Sequence, residues 1–104
     1  PNEKFRVFCL DSSFAIVDET EIAEGTVNQA TVYPRKVIET ALAANATSLV
    51  FAHNHPDGNV MPSDFDQTLT RALVLAAKTM GMSVYDHIIV SRDVYFSFRE
   101  HGLL

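Results

Sequence analysis

Two histidines at the end of an apolar segment constrain this chain more than any other feature. The segment Ser48–Ala52 is rich in strand-forming residues and runs directly into His53 and His55, which predicts a β-strand. Side chains two residues apart on a strand point to the same face, so both imidazoles should point to one place. Pro56 ends the strand, and the turn-forming residues 57–59 follow it. The strand should therefore present two imidazoles at its carboxyl end.

A helix should begin a few residues later. Ser63 is a good N-cap residue, and the acidic residues Asp64 and Asp66 suit the positive end of the helix dipole. Apolar residues then recur every three to four positions, which predicts a helix from about Asp64 to Met80. Capping alone explains the segment Ser63–Asp66. Its short distance from the two histidines also allows a second interpretation, a metal site made by a strand end and a helix start.

Zinc would suit such a site. A catalytic zinc ion takes three imidazole or carboxylate ligands from the protein and leaves a fourth position for water, and His53, His55 and Asp66 could supply the three ligands. Bound metal lowers the pKa of water from about 15.7 to about 7. Ser63 lies one helical turn before Asp66, within reach of an oxyanion that develops at the metal.

Composition narrows the class of protein. The 104 residues, 47% of them hydrophobic, predict one domain over residues 1–104. Neither a membrane-spanning apolar run nor a signal peptide is visible, and the one cysteine, Cys9, fits a buried thiol in a reducing cytoplasm. The net charge of −5 argues against a broad nucleic-acid-binding face. Because the chain begins at Pro1 without a methionine, we expect a C-terminal fragment of a longer protein.

The order of predicted elements is β-β-α-β-α-β-β. Residues 5–10 and 14–24 are predicted to form an antiparallel hairpin, followed by a connection over 28–32 and a helix that starts near Pro34 and stops at Asn45. The histidine strand and the long helix come next, and residues 83–90 and 94–98 form the last two strands. This order predicts an α/β protein of the α+β type, with a single mixed sheet and helices packed against it.

The residues around the two histidines match the JAMM (JAB or MPN-plus) zinc metalloprotease motif. The matching pattern is His53-x-His55-Pro56, then six residues, then Ser63-x-x-Asp66. The chain resembles the C-terminal JAB domain of the bacterial RadC family over essentially its whole length. The segments that carry this narrower resemblance are Glu24–Val27, Tyr33–Arg35, Asp86–Val90 and Gly102–Leu104, together with the sequence His-Asn-His-Pro-x-Gly at residues 53–58.

The resemblance implies a curved mixed sheet flanked by helices, the JAB/MPN (cytidine-deaminase-like) architecture. It implies a Zn²⁺ site with His53, His55 and Asp66 as ligands and Ser63 as the oxyanion donor. The glutamate that acts as general acid and base in JAMM enzymes lies at the start of an early strand. Glu3 matches that position best, and Glu24, at a strand end, is the alternative.

By the same resemblance, the expected function is that of a zinc-dependent metallopeptidase-like hydrolase of peptide or isopeptide bonds, with a protein or peptide as substrate. The alternative is a non-catalytic, metal-binding interaction module, since the JAB fold is used in both ways and RadC proteins were historically labelled DNA repair proteins. A nuclease is not expected, because the His-Asn-His residues of HNH nucleases are spread over tens of residues. Direct nucleic-acid binding by this domain is not expected either.

Four further residues have simpler interpretations. Asn54 should point away from the two histidines and hold the following loop, at a position where JAMM deubiquitinases usually have Ser or Thr. Asp57 is interpreted as a turn residue, and His101 as part of an exposed tail. His87 lies beside Asp86 in an apolar strand, where the two residues are expected to form a hydrogen-bonded structural pair; a site-lining role for His87 is the alternative.

Overall fold

The computed structural model describes residues 2–25, 27 and 32–104, and within them the predicted order of elements is confirmed. The strands and helices, in chain order, are β1 (Glu3–Leu10), β2 (Ile16–Gly25), α1 (Pro34–Ala43), β3 (Ser48–Asn54), α2 (Asp64–Thr79), β4 (Ser83–Ser91) and β5 (Val94–Ser97). Most of the predicted connection over residues 28–32 lies outside the described residues.

The strands form one mixed sheet, as predicted, and their order in it is β2-β1-β3-β4-β5. β3 and β4 run parallel, whereas the other neighbouring pairs are antiparallel. A parallel pair needs a crossover connection, and α2 makes it. The first turn of α2 therefore lies close to the carboxyl end of β3, where the two histidines are.

One face of the sheet packs against both helices. Alternate residues of the two central strands are fully buried there, as the two-residue repeat of a strand requires: Phe5, Val7 and Cys9 of β1, and Leu49 and Phe51 of β3. The helices contribute Val37 and Ala41 from α1, and Leu69, Leu73 and Ala77 from α2. The core thus holds β3 and the start of α2 in a fixed relation.

The predicted burial of Cys9 is confirmed. Burial in the core raises the pKa of its thiol, and the nearby negative charge of Asp18 raises it further. The thiolate form is therefore disfavoured, and Cys9 has the properties of a packing residue rather than of a nucleophile.

The first helix ends where the sequence predicted. Asn45, just after α1, has φ of 54°, which confirms it as the left-handed residue that ends the helix.

Among the helices in the described ranges, neither is long and apolar enough to cross a membrane.

The prediction for the first hairpin was wrong at Phe14, which lies in the turn, with φ of 64°, instead of in the second strand. The reason is the side chain of Asp11. Its Oδ1 accepts hydrogen bonds from the main-chain N–H groups of Ser13 and Ala15 and so stabilises a longer turn.

Candidate metal centre

His53 and His55 lie on the same face of β3, as predicted, with their ring centroids 4.8 Å apart. The side chain of His53 is almost fully buried, at 1% exposure, and that of His55 is 15% exposed. The backbone of His53 is paired with Phe5 of β1 on one side and Ile89 of β4 on the other. His55 directly follows the last residue of β3, and its N–H donates to the Val90 main-chain oxygen of β4 at 3.1 Å.

The start of α2 brings Asp66 to both rings. One carboxylate oxygen, Oδ2, is 3.1 Å from Nε2 of His55, and the other, Oδ1, is 3.7 Å from Nδ1 of His53. Ser63 and Asp66 also form a capping box: Ser63 Oγ accepts a hydrogen bond from the Asp66 N–H, and Asp66 Oδ2 accepts one from the Ser63 N–H. Helix capping and site building are therefore done by the same two residues.

Glu3, rather than Glu24, lies beside the histidines. An oxygen of Glu3 is 2.8 Å from Nε2 of His53. Glu24 pairs with Lys4 across the sheet, so its side chain belongs to the face opposite to that of Glu3.

The described residues whose possible ligand atoms all lie within 4.8 Å of one another are Glu3, His53 and His55. This differs from the predicted ligand set, in which Asp66 took the place of Glu3. The difference follows from the orientation of the His53 ring, which turns Nε2 towards Glu3 and Nδ1 towards Asp66. Two imidazoles and two carboxylates thus meet at one place.

The hydrogen bonds of the two rings favour a cation among these groups. Nδ1 of His55 donates to the main-chain oxygen of Asn59 at 2.7 Å, so in the neutral ring Nε2 carries a lone pair and faces the carboxylate of Asp66. Two acceptors that face each other require a positive charge between or beside them, either a proton or a metal ion. Nδ1 of His53 is buried and has no hydrogen-bond partner among the described residues. These donor atoms fit a zinc ion, which takes imidazole nitrogen and carboxylate oxygen.

Behind the site, Thr70 connects α2 to β4. Its hydroxyl donates to the Asp66 main-chain oxygen at 2.8 Å and is 2.6 Å from Nδ1 of His87. The Thr70 hydroxyl has one proton, which it donates to the Asp66 main-chain oxygen. Nδ1 of His87 must therefore carry a proton and donate it to the Thr70 oxygen as a hydrogen bond. Thr70 lies one turn after Asp66 on the buried face of α2, a spacing that could have indicated it from the sequence.

His87 is buried and hydrogen-bonded to Asp86, as predicted, but through its main chain: the His87 N–H donates to Asp86 Oδ1 at 2.7 Å. Neighbouring strand residues point to opposite faces: the His87 ring stacks on Phe98, with centroids 4.5 Å apart, whereas Asp86 accepts from the Ser97 hydroxyl on the other face. Burial, and then the repulsion of His53, lowers the pKa of His87 to about 3. The ring is neutral at physiological pH.

Asn54 points away from the histidines, as predicted, but it does not hold the following loop. Its side chain instead binds the segment around Glu3. Oδ1 accepts from the Lys4 N–H at 2.6 Å, and Nδ2 donates to the Asn2 main-chain oxygen at 3.1 Å. The cause is the sheet order, since β1 lies next to β3 and brings residues 2–4 within reach.

The predictions for Asp57 and His101 are confirmed in their main points. Asp57 is a turn residue whose Oδ1 accepts from the Asn59 N–H at 3.0 Å. His101 is exposed, although its ring stacks on Phe96 and its Nδ1 donates to the Ser97 main-chain oxygen.

The site opens into a cavity of about 520 Å³. Its lining consists of Asn2, Glu3, Gly25, Val27, His55, Pro56, Asp57, Ser63 and Asp66. Three of these are carboxylates, and none of these described lining residues is a lysine or an arginine. The Ser63 hydroxyl accepts from Asp66 and donates to no acceptor in the part of the chain that the structure covers, so its proton can point into the cavity.

Comparison with known proteins identifies the family. The family model described as the RadC-like JAB domain matches residues 1–103. A UPF0758 protein of Actinobacillus pleuropneumoniae serotype 5b (strain L20) is 45% identical over 98 residues, which are 94% of this chain and 44% of that protein. UPF0758 proteins of Thermotoga maritima and Methylibium petroleiphilum are 42% and 45% identical over 98% and 100% of this chain, and over 46% and 47% of their own lengths.

The chain spans about half the length of these relatives. Within that span, the mixed five-stranded sheet and its two helices agree with the JAB/MPN fold. The chain belongs to the RadC-like JAB domain family.

Proposed function

We propose that this domain is a zinc-dependent hydrolase that cleaves peptide or isopeptide bonds. The observation that carries the proposal is the convergence of His53, His55, Asp66 and Glu3. All of them except the buried His53 line the cavity. Membership of the JAB domain family supports a metal-dependent activity.

In this proposal His53, His55 and Asp66 hold the zinc ion. His53 lies on a strand that is paired on both sides, and the His55 main chain that follows it is bonded to Val90 of β4. The Asp66 carboxylate is held by the Ser63 N–H. The main-chain oxygen of Asn59 binds Nδ1 of His55 and leaves Nε2 free as a ligand atom. When bound, zinc would polarise the scissile carbonyl and lower the pKa of a water molecule.

In this proposal Glu3 transfers a proton from water to the leaving amine. Its side chain is 29% exposed and lines the cavity, so a carboxylate oxygen can reach both solvent and a substrate. From there it can accept a proton from water and pass it to the leaving amine. The Ser63 hydroxyl donates a hydrogen bond to the oxyanion that develops on the substrate.

The charge of the cavity favours a peptide over a phosphodiester as substrate. Glu3, Asp57 and Asp66 line it, and these carboxylates would repel a phosphate backbone, whose binding depends on lysine and arginine. An amide carries no net charge and is not repelled in this way.

The experiment uses the zinc-loaded protein, a pool of peptides and a set of lysine isopeptides, with mass spectrometry to detect new amino groups. Wild-type protein should cleave at least one class of substrate. Asp66→Ala should lose both zinc and cleavage. With zinc in excess, Glu3→Gln should still bind one zinc ion per chain, although more weakly than the wild type, and should lose activity by about 10²–10⁴-fold, the usual contribution of a general acid or base.

Glu24→Gln is the matched control. Glu24 is on β2, in the residue pair next to that of Glu3, but its side chain is on the opposite face of the sheet. This variant should keep both zinc and cleavage. Cleavage that persists in Asp66→Ala would refute the zinc mechanism. Loss of zinc in Glu3→Gln would instead make Glu3 a metal ligand, and the role given to it here would be wrong.

A further inference from the structure

The side chain of Asn54 binds the main chain on both sides of Glu3. Its amide oxygen accepts from the N–H of Lys4 at 2.6 Å, and its amide nitrogen donates to the carbonyl of Asn2 at 3.1 Å. One planar amide thus satisfies one donor and one acceptor that flank a single residue.

These bonds replace the sheet ladder at the point where it ends. The pairing of β1 with β3 runs from Leu10 opposite Ser48 to Phe5 opposite His53. Beyond that pair, β3 ends at Asn54 and the chain turns away at Pro56. Without the Asn54 amide, the main chain around Glu3 would be held on this side by water alone.

On its other side, Glu3 is opposite Gly25, the last residue of β2. Gly25 has φ of 101°, a conformation that favours glycine and does not continue a strand. Glu3 is therefore the last residue of the pairing with β2 and lies two residues beyond the end of the pairing with β3. A residue in this place frays unless further bonds hold it.

The position of Glu3 matters because its carboxylate is only 2.8 Å from Nε2 of His53. Asn54 follows His53 directly, and its side chain leaves the strand on the opposite face. The residue that carries one imidazole and the residue that holds the glutamate are thus neighbours on β3, so the distance between the two groups is set by one short piece of rigid backbone.

We propose that Asn54 is a positioning residue, which holds Glu3 against His53 by binding the main chain of Asn2 and Lys4. The consequence for catalysis rests on the proposed function, but the ordering of Glu3 does not, and it can be measured without metal.

The first test is ¹⁵N relaxation of the metal-free protein. In the wild type the Glu3 and Lys4 amides should have order parameters near the rigid value of about 0.85, and in Asn54→Ala they should fall below about 0.6. Asn54→Asp is the second variant: its carboxylate still accepts from Lys4 but cannot donate to Asn2, so the order parameter of Glu3 should be intermediate.

Thr47→Val is the matched control. The Thr47 hydroxyl donates to the Leu10 main-chain oxygen at 3.2 Å, at the opposite end of the same pair of strands. Its loss should leave the order parameters of Glu3 and Lys4 unchanged.

The second test is a double-mutant cycle in Zn²⁺ affinity, measured by competition with a chromophoric chelator. Groups beside a metal ligand typically contribute about 10–100-fold to affinity, so Glu3→Gln and Asn54→Ala should each weaken zinc binding. If Asn54 acts through Glu3, adding Asn54→Ala to Glu3→Gln should change the affinity by less than about 2-fold. A residue that merely stabilised the fold would have the same effect in both backgrounds.

Loss of order at Glu3 together with a non-additive cycle would support the proposal. Unchanged order parameters in Asn54→Ala, or equal effects of that change with and without Glu3, would overturn it. If the wild type bound no zinc, the proposed function would fail, and the relaxation data alone would decide the role of Asn54.

Discussion

In the proposed mechanism Ser63 has two separable functions, because its oxygen caps α2 while its hydroxyl proton has no acceptor among the described residues. Ser63→Ala should lower the free energy of unfolding by about 1 kcal/mol, the usual cost of losing a cap, whereas Ser63→Gly should cost only a few tenths. Urea denaturation of the metal-free variants measures this difference.

Both variants lack the hydroxyl, so both should lose hydrolase activity by a similar factor, about 10²–10³-fold for one oxyanion donor. If activity instead followed stability, with Ser63→Gly nearly as active as the wild type, Ser63 would be a helix cap and nothing more.

At the scale of single residues, the sequence predicted the position of the site but not its internal contacts. Strand periodicity placed His53 and His55 on one face, and helix capping placed Asp66 close to them. The same periodicity turns the side chains of Asp86 and His87 to opposite faces, so the predicted hydrogen bond between these residues is made by the main chain of His87.

At the scale of elements, α2 is fastened to β4 behind the site. Thr70 donates to the Asp66 carbonyl and accepts from Nδ1 of His87. Thr70→Val should lower the free energy of unfolding by about 1–3 kcal/mol, since it leaves the buried donor of His87 without a partner. Chemical denaturation checks the value.

Thr70→Ser is its matched control and keeps the hydroxyl. It should recover most of the loss. Destabilisation by Thr70→Ser but not by Thr70→Val would show that the methyl group of Thr70, which valine keeps, and not its hydrogen bonds, stabilises the contact.

The contacts between elements could not be predicted from the sequence, and the reason is physical. The bonds of Asn54 to Asn2 and Lys4 depend on β1 lying beside β3, and a strand sequence does not specify its neighbour in the sheet. The turn at Phe14 was missed because Asp11 stabilises it through its side chain, against the strand preference of the aromatic ring. The order of elements was predictable because each one has a clear periodicity and a clear end.

At the scale of the whole molecule, the buried His87 makes stability depend on pH. Its pKa is about 3 in the folded protein and about 6.5 in an unfolded chain. Between these values the unfolded state binds more protons, so the stabilising effect of a neutral His87 is complete above pH 6.5 and is lost as pH falls towards 3. The free energy of unfolding should fall by about 1.4 kcal/mol per pH unit from this group alone.

His87→Phe should remove this contribution, because a phenyl ring does not titrate and leaves the Thr70 hydroxyl bonded to Asp66. Thr70→Val keeps the buried imidazole and should therefore keep the pH dependence. Urea denaturation of the metal-free proteins between pH 4 and pH 6 gives the slopes. A slope in His87→Phe as steep as that of the wild type would contradict the assignment.

The most direct test of the central claim is the metal content of the protein purified without chelator or added zinc. Plasma mass spectrometry would compare the wild type with the His53→Ala/His55→Ala double mutant. We predict about one zinc ion per chain in the wild type and essentially none in the double mutant, as expected for a site with three protein ligands. Little metal in both proteins, with no uptake when zinc is added, would contradict the account and leave Ser63 and Asp66 as the cap of a helix.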